Sequence, residues 1–476
     1  MQSWLAAIAI VSLGCGSVRS SGTDAGQPDA DRDATPDVDA AEPGTVAWQQ
    51  HMFGTFPAIS FHGENLLFRA SRHDPNPIDL GGGPIPHVGA SDLLVGQFDT
   101  DGGHIVSAGH GGVDTEFANG GAVSLADGSF ILSGLLGPGT TNVGGNDFNK
   151  PASLANLFDS YLARFGKNGN HLWSIPLQAG ASSVFIASVV PDGAGGAVAI
   201  GWFDGAFTVG GKSSPAPQGG RDIFLVRVNA DGEVVGEVVV LASVSSEEPA
   251  SAVSAGAGEL YVCGTFKGTL QLGTDTLVPV GTTDVFVASI TPAGEVNWAT
   301  SAGGTATTNC RSITVTGDLL ITGDFVGTTT FPGGSELASD GAEDIYVAQL
   351  RAADGGHIRS FRFGGPLADR PRTIAAAADG TIALTGEFSD VIDFGGGNLV
   401  SAGEIDLFLT RLTLDGQHIW SIRAGDTLED RGLGVLIDSA GALYVTGSFH
   451  DSIDFGDDSV LTGPPSVFNG FIVKIH

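Results

Sequence analysis

Apolar residues run on both faces of one recurring stretch of this chain. In Asp222-Ile-Phe-Leu-Val-Arg-Val228 and in Asp406-Leu-Phe-Leu-Thr-Arg-Leu412, odd and even offsets are both hydrophobic until the Thr or Arg near the end. A strand apolar on both faces lies between two packed layers. Seven copies of this stretch begin at Asp92, Asp159, Asp222, Asp284, Asp344, Asp406 and Asn469, roughly every 60 residues. Arg164, Arg227, Arg411 and Lys474 share one offset in it. They are expected where the strand emerges into water, their stems covering apolar surface.

The last copies give the whole unit. Residues 434–438 read as a strand, 439–441 as a turn, and Ala442-Leu-Tyr-Val-Thr-Gly-Ser-Phe449 as a second strand. A Gly-rich crossing segment, 452–456, leads to the strand that begins at Asn469. In the preceding copy that strand turns at Asp415-Gly416 into 417–422. Asp-Gly flanked by apolar alternation is a strong hairpin signal. Each unit is thus four antiparallel strands in a meander, which is a propeller blade. The predicted fold is all-β: a seven-bladed β-propeller with four-stranded antiparallel blades. Ser133-Gly134, Thr322-Gly323, Thr385-Gly386 and Thr446-Gly447 recur in the second strand. A Gly there predicts close approach of a neighbouring blade's backbone, or a bulge.

The ordered part opens at Thr45-Val-Ala-Trp48, which matches the strands carrying Trp173, Trp298 and Trp420. It closes on the Asn469 strand, so the C-terminal blade lacks its fourth strand. Residues 46–52 are expected to pair beside 469–476 and close the ring, leaving no exposed edge. The first copy departs most, with no Thr-Gly in 66–71 and an insertion at His73-Asp-Pro-Asn-Pro77.

The unit resembles the SBBP-type bacterial β-propeller repeat, carried most clearly by Asp406, Phe408, Gly416, Trp420, Tyr444, Gly447, Phe449 and Phe455. The resemblance spans nearly all of 46–476. It implies an extracytoplasmic or cell-surface protein and names no substrate.

Ahead of the repeats, residues 4–13 are an apolar run too short to span a membrane, as in a signal peptide covering 1–14. The Leu13-Gly14-Cys15 ending resembles a lipoprotein lipobox, which implies lipidation of Cys15. Ser12 stands where the lipobox usually has Leu and residues 1–3 carry no base, so an ordinary cleaved signal, or neither, stays open. Gly16 after the Cys implies, by the same resemblance, the outer membrane. Residues 15–45 then form an acidic linker that buries too little apolar area to order itself. It is a tether of about 30 Å as a coil and about 100 Å when stretched. Asp29, Asp31 and Asp33 have calcium-like spacing but lack the turn Gly and distal Glu of an EF-hand.

A net charge of −32 excludes nucleic acid and anionic membrane surfaces as partners, leaving the membrane only through the lipid anchor. Gly supplies 73 of 476 residues, about twice ordinary usage, as strands joined by tight turns require. His104, His171, His357 and His418 share one strand position that Val234 and Val296 fill elsewhere, which marks it as structural. His51, His62, His73 and His87 have no metal-ligand spacing. Gly205 to Ser213 ends in Gly-Lys-Ser but precedes no helix, so it is not a phosphate loop. The Asp series repeats in almost every blade and is expected to accept turn N–H bonds. Cys263 and Cys310 are expected either to form a disulfide, which an extracytoplasmic location permits, or to be two buried thiols. The longest loop, 135–157, carries Asn142, Asn146, Asp147 and Asn149 as a lead for a site.

No catalytic residue, metal ligand or cofactor site follows from these patterns. The expected function is a non-enzymatic, monomeric surface lipoprotein whose propeller is a binding or scaffold module, its ligand an unidentified protein or glycan. The alternative is an extracellular polysaccharide hydrolase or lyase, which would show convergent acids or His that break the repeat.

Overall fold

The computed structural model describes residues 44–52, 55–62, 64–73, 77–118, 120–151, 153, 157–241, 246–254, 258–456, 460–464 and 467–476. Residues 1–43, with Cys15, Asp29, Asp31 and Asp33 and most of the expected signal peptide and linker, lie outside them. The described chain is all-β, without an α-helix, in a β-propeller arrangement.

Six sheets follow one another along the chain, each an antiparallel meander. Sheet 1 holds Thr55–His62, Asn65–Arg72, Asp92–Phe98 and His104–His110. Sheet 2 opens with the short pieces Glu116–Phe117 and Ala122–Ser124, then Phe130–Leu136, Asp159–Phe165 and His171–Gln178. Sheet 3 holds Val184–Pro191, Ala197–Phe203, Asp222–Val228 and Val239–Leu241; sheet 4 holds Ser246–Ser254, Leu260–Lys267, Asp284–Ile290 and Val296–Gly304. Sheet 5 opens with Thr307–Thr308 and Ser312–Thr316, then Asp318–Val326, Asp344–Leu350 and His357–Phe363. Sheet 6 holds Asp369–Ala376, Thr381–Phe388, Asp406–Thr413 and His418–Ala424. A further, composite sheet joins Arg431–Ile437, Leu443–Phe449 and Asn469–Ile475 to the N-terminal strand Val46–Met52. Val46 there faces Ile475 and Met52 faces Gly470.

The first strand of each sheet lies against the first strand of the next, and Arg431–Ile437 lies against Thr55–His62. Hydrogen bonds cross these junctions: the Ser124 hydroxyl donates to Phe61 O (2.7 Å) and the Thr373 hydroxyl to Leu433 O (3.0 Å). Third strands such as Asp92–Phe98, Asp284–Ile290 and Asp344–Leu350 are buried along their whole length. Fourth strands such as His104–His110 are partly exposed throughout. The core is therefore a series of layers between sheets rather than one central cluster.

The Asp series repeats one device. Asp92 and Asp406 each accept a hydrogen bond from the backbone N–H four residues upstream, Val88 (2.8 Å) and Ala402 (2.7 Å). Asp222, Asp284 and Asp344 do the same, and Asp159 accepts from Ala179 N–H (2.9 Å). Asn469 reverses the polarity, its amide donating to Val467 O (3.0 Å). The recurring second-strand Gly answers a bulge in the first strand of its own sheet, not a neighbouring blade. A Cβ on Gly386 would lie 2.1 Å from Arg370 O, and one on Gly323 1.8 Å from Asn309 O. The first strand of sheet 6 shifts register beside that Gly, between Pro371 and Thr373.

The basic residues near the ends of the third strands reach the surface to different degrees, Arg227 32% exposed and Arg164 7%, and each meets a carboxylate there. Arg164 bonds Asp127 (2.6 Å), Arg227 bonds Asp192 (2.9 Å) and Arg411 bonds Asp379 (3.2 Å), each acid lying in the turn between first and second strands. The turn lies beside the strand end, so the guanidinium pairs with its carboxylate at the surface.

Carboxylates at the opening of several first strands are fully buried: Glu116, Asp369 and Asp430. Burial pushes each up to about 7, and nearby acids (Asp92 and Asp114, Asp344, and Asp426 with Asp406) add to the shift against the backbone N–H groups that oppose it. The folded state therefore holds protons that an unfolded carboxylate, titrating near 4, releases. Their contribution to stability is complete below about pH 4 and is lost as pH rises through about 7. The melting temperature is expected to fall between pH 5 and pH 8, and Asp369→Asn should flatten that decline; a melting temperature that rises over this range contradicts the assignment. Deleting residues 45–55 is expected to abolish cooperative unfolding, because it exposes the third strand of the composite sheet; an unchanged melting curve contradicts it.

Candidate functional site

The sheets differ in side chain at the register where the first and second strands pair next to the recurring Gly. The cross-strand pair is Phe117 with Leu135 in sheet 2, Phe185 with Trp202 in sheet 3, and Glu248 with Thr265 in sheet 4. In sheet 5 Asn309 N–H donates to Asp324 O (2.8 Å). In sheet 6 the pair is Arg370 with Glu387, and in the composite sheet Arg431 with Ser448. The backbone geometry is shared, so the side chains at this inner rim vary without altering the fold.

Three parts of the rim touch in succession. The first is aromatic: Phe185 stacks on Trp202 with centroids 5.7 Å apart, and the edge of the exposed Phe158 meets both rings. The Arg221 guanidinium lies 3.8 Å from the Trp202 ring centre and pairs with Glu248. The second is a cavity of about 190 Å³, lined mostly by polar residues: Ser246, Glu248, Thr265, Thr283, Asn309 and Lys267. Asn309 bonds Asp324 (2.7 Å), which pairs with Arg311 and so begins the third part.

That third part gathers Arg311, Arg370, Arg372 and Arg431 around two buried acids. Glu387, 3% exposed, accepts from Arg372 (2.8 Å), lies 3.1 Å from Arg431 Nε and 3.8 Å from Arg370. Arg370 also bonds Glu343 (2.7 Å), and Arg431 bonds Glu429 (2.7 Å). Burial lowers the pKa of Arg372; Glu387 opposes this, and Arg311 and Arg431 lower it further. For Arg370, burial is outweighed by the Glu343 hydrogen bond and the nearby acids, which hold its pKa above the ordinary value. Four arginines and four acids, Asp324, Glu343, Glu387 and Glu429, thus form one paired network, in which Asp324 and Glu387 are buried.

The residues singled out by sequence fall elsewhere. His104, His357 and His418 each place Nε2 2.9–3.1 Å from a Ser hydroxyl three residues on. Their rings lie over Gly82, Gly334 and Gly396, where a Cβ would approach to 2.1–2.7 Å. The position is a packing site, as its interchange with Val implies. Gly205 to Ser213 forms a hairpin, Thr208–Val209 with Lys212–Ser213, and Lys212 pairs with Glu237 (3.0 Å). In the longest loop, the Asn142 amide donates to Asp147 (2.7 Å) and Asn149 accepts from Thr140 (2.8 Å), so these polar groups serve the loop itself. Cys263 of sheet 4 and Cys310 of sheet 5 are joined by a disulfide with Cα atoms 6.1 Å apart. Among the described residues no group of three or more His, Cys, Asp or Glu could hold a metal ion.

Sequence reading missed the arginine cluster. Its signal was Arg370-Pro-Arg372 together with Arg311 and Arg431, basic residues at first-strand positions that hold Phe, Ala or Glu in other copies. The Glu387→Gln variant is expected to lose about 3 kcal/mol of stability in urea unfolding, because three guanidinium groups lose their shared counter-charge. A loss under about 1 kcal/mol would mean that the cluster is screened by water.

No family model and no curated protein matches this chain. Among solved structures it is similar to a glucose dehydrogenase, at 12% identity over 76% of this chain and 98% of that one, with a TM-score of 0.35. A europium-containing methanol dehydrogenase is 8% identical over 91% and 93%, with a TM-score of 0.38. A quinohemoprotein alcohol dehydrogenase from Comamonas testosteroni is 9% identical over 91% and 78%, with a TM-score of 0.42. Overlaps this loose bear on neither chemistry nor cofactor.

Proposed function

We propose that this protein is a non-enzymatic, lipid-anchored surface module of the SBBP type: a closed ring of seven blades that binds a glycan at its inner rim. The pairing of Val46–Met52 with Asn469–Ile475, and the neighbouring of successive first strands, support closure. The disulfide suits an extracytoplasmic compartment. Lipidation of Cys15 and the outer membrane rest on the N-terminal sequence alone.

One observation carries the binding reading: at the register beside the recurring Gly, aromatic, polar and charged side chains replace one another from sheet to sheet on a repeated backbone. Side chains that vary on a repeated scaffold are how recognition surfaces are built. The choice of glycan follows from the side chains there. Hydroxyl and amide groups of Ser246, Thr265, Thr283 and Asn309 line the cavity, and the Phe158, Phe185 and Trp202 rings lie beyond Arg221 and Glu248. Sugars offer hydroxyls for the former and C–H faces for the latter.

The enzymatic alternative draws support from Asp324 and Glu387, convergent acids that break the repeat. Their side chains are 1% and 4% exposed and each is paired with Arg, so neither is placed to exchange a proton with a substrate. Screening the purified protein on a glycan array is expected to give a hit whose affinity falls about tenfold in Thr265→Val, with little change in melting temperature. No hit, or a Thr265→Val variant of full affinity, contradicts the reading. Release of shortened or unsaturated sugar products from a bound polysaccharide would favour the hydrolase or lyase.

A further inference from the structure

Sheet 4 breaks the repeat near the end of its third strand. The offset that holds Arg, Lys or Gln in the other six copies holds Ser289 there. Elsewhere the base at this offset bridges two sheets. Arg164 reaches Asp127 (2.6 Å) in its own sheet and Ala230 O in a turn of the next. Arg411 reaches Asp379 (3.2 Å) and, in a turn of the composite sheet, Gly441 O (2.9 Å). Lys474 lies 5.6 Å from the Tyr444 ring centre and bonds Asp101 (3.4 Å) in a turn of sheet 1.

The junction of sheets 4 and 5 keeps the acceptors without the base. Tyr261 faces Ser289 across the strands as Tyr444 faces Lys474. Its hydroxyl donates to Ala352 O (3.4 Å), as that of Tyr444 does to Thr100 O (3.2 Å). Ala352 O also takes the Trp298 indole, just as Ala230 O takes that of Trp173. Glu259, at the start of the second strand, accepts from the neutral Ser289 hydroxyl (2.9 Å), and Asp318 accepts from Ala352 N–H (3.4 Å). Among the described residues no base pairs with either acid, and the neighbouring Arg351 is taken by Asp354 (3.0 Å). A cavity of about 490 Å³ opens at this junction, lined by Glu259, Tyr261, Val315, Gly317, Ala352 and Ala353. That volume suits a small ligand. The lining offers a carboxylate, a tyrosine and short apolar walls, and no positive group.

We propose that this cavity binds a small organic cation, whose guanidinium or alkylammonium group pairs with Glu259 beside Tyr261 and whose apolar body lies against Val315 and Ala353. The ligand brings from outside the charge that Arg164 and Lys474 bring from within, through a charge-assisted hydrogen bond and the face of a tyrosine. A net charge of −32 raises the concentration of cations around the whole protein. The cavity lies at the opposite ends of the strands from the inner rim, and the inference does not rest on the glycan reading.

Calorimetric titration of the full-length protein with butylguanidinium and with neutral butylurea, at matched ionic strength, tests this. The cation is expected to bind about tenfold more tightly than the urea. Glu259→Gln should remove that preference and leave the melting temperature of the free protein nearly unchanged. Ser289→Arg should supply the guanidinium from within, abolish binding of the cation and raise the melting temperature. Should Ser289→Arg fail to fold, Glu259→Gln decides alone. A blocked Gly-Arg-Gly peptide that binds more tightly than butylguanidinium, and loses its binding in Glu259→Gln, supports the site and makes its natural ligand a protein side chain; weaker binding of the peptide supports a free small molecule. Equal binding of cation and urea, binding of neither, or a preference that survives in Glu259→Gln overturns the proposal.

Discussion

One hydrogen bond ties each sheet to the next. The backbone N–H that opens a first strand donates to the carbonyl just before the third-strand Asp of the preceding sheet. It recurs from Glu116 to Ser91 (3.0 Å), Val184 to Phe158 (2.8 Å), Glu247 to Arg221 (2.9 Å), Thr308 to Thr283 (2.8 Å), Asp369 to Glu343 (2.7 Å) and Asp430 to Ile405 (2.8 Å). The bond requires the chain before each third strand to sit in one fixed conformation. The third-strand Asp supplies that by gathering a loop N–H, and sheet packing then seals the Asp from water. The variable rim residues lie one position beyond these linked openings, so the same bond that joins the sheets also positions the candidate site.

A second link runs at the opposite ends of the strands. Fourth-strand Trp indoles donate to a carbonyl in the turn of the following sheet: Trp48 to Thr100 (3.1 Å), Trp173 to Ala230 (2.9 Å) and Trp298 to Ala352 (3.0 Å). Trp420 faces the composite sheet, where that turn is broken between the two chain ends. There it packs against Gly44, whose N–H bonds His476 O. The N-terminal strand thus supplies both the missing edge and the surface on which its neighbour's Trp rests. Connecting hairpins extend the same logic, since Thr208–Val209 pairs with Leu177 and Gln178 at the edge of sheet 2 and covers that edge.

The repeat made the strands, their order and the end-to-end pairing legible, because burial between sheets imposes one apolar pattern on every third strand. The structural role of the His series was equally legible, since Val replaces His at that position. Two details turned on which neighbour a feature meets: of the two readings of the second-strand Gly the bulge holds and the neighbouring blade does not, and the third-strand bases meet carboxylates. The second-strand Gly faces a carbonyl of its own sheet at the bulge, and Arg164 pairs with Asp127 at the surface. Which loop covers a strand end is set by sheet twist and turn length, and neither appears in the apolar pattern. The arginine cluster was hidden because its members lie far apart in sequence, and only the juxtaposition of first strands brings Arg311, Arg372 and Arg431 to one acid pair.

Hydrogen exchange of the Val46–Met52 amides tests the account most directly. If the two chain ends hold a closed ring together, the amides bonded to Asn469–Ile475 should exchange as slowly as those of Leu443–Phe449, through global unfolding alone. Exchange of Val46–Met52 at the rate of a free tail, with the rest of the composite sheet still protected, would contradict it.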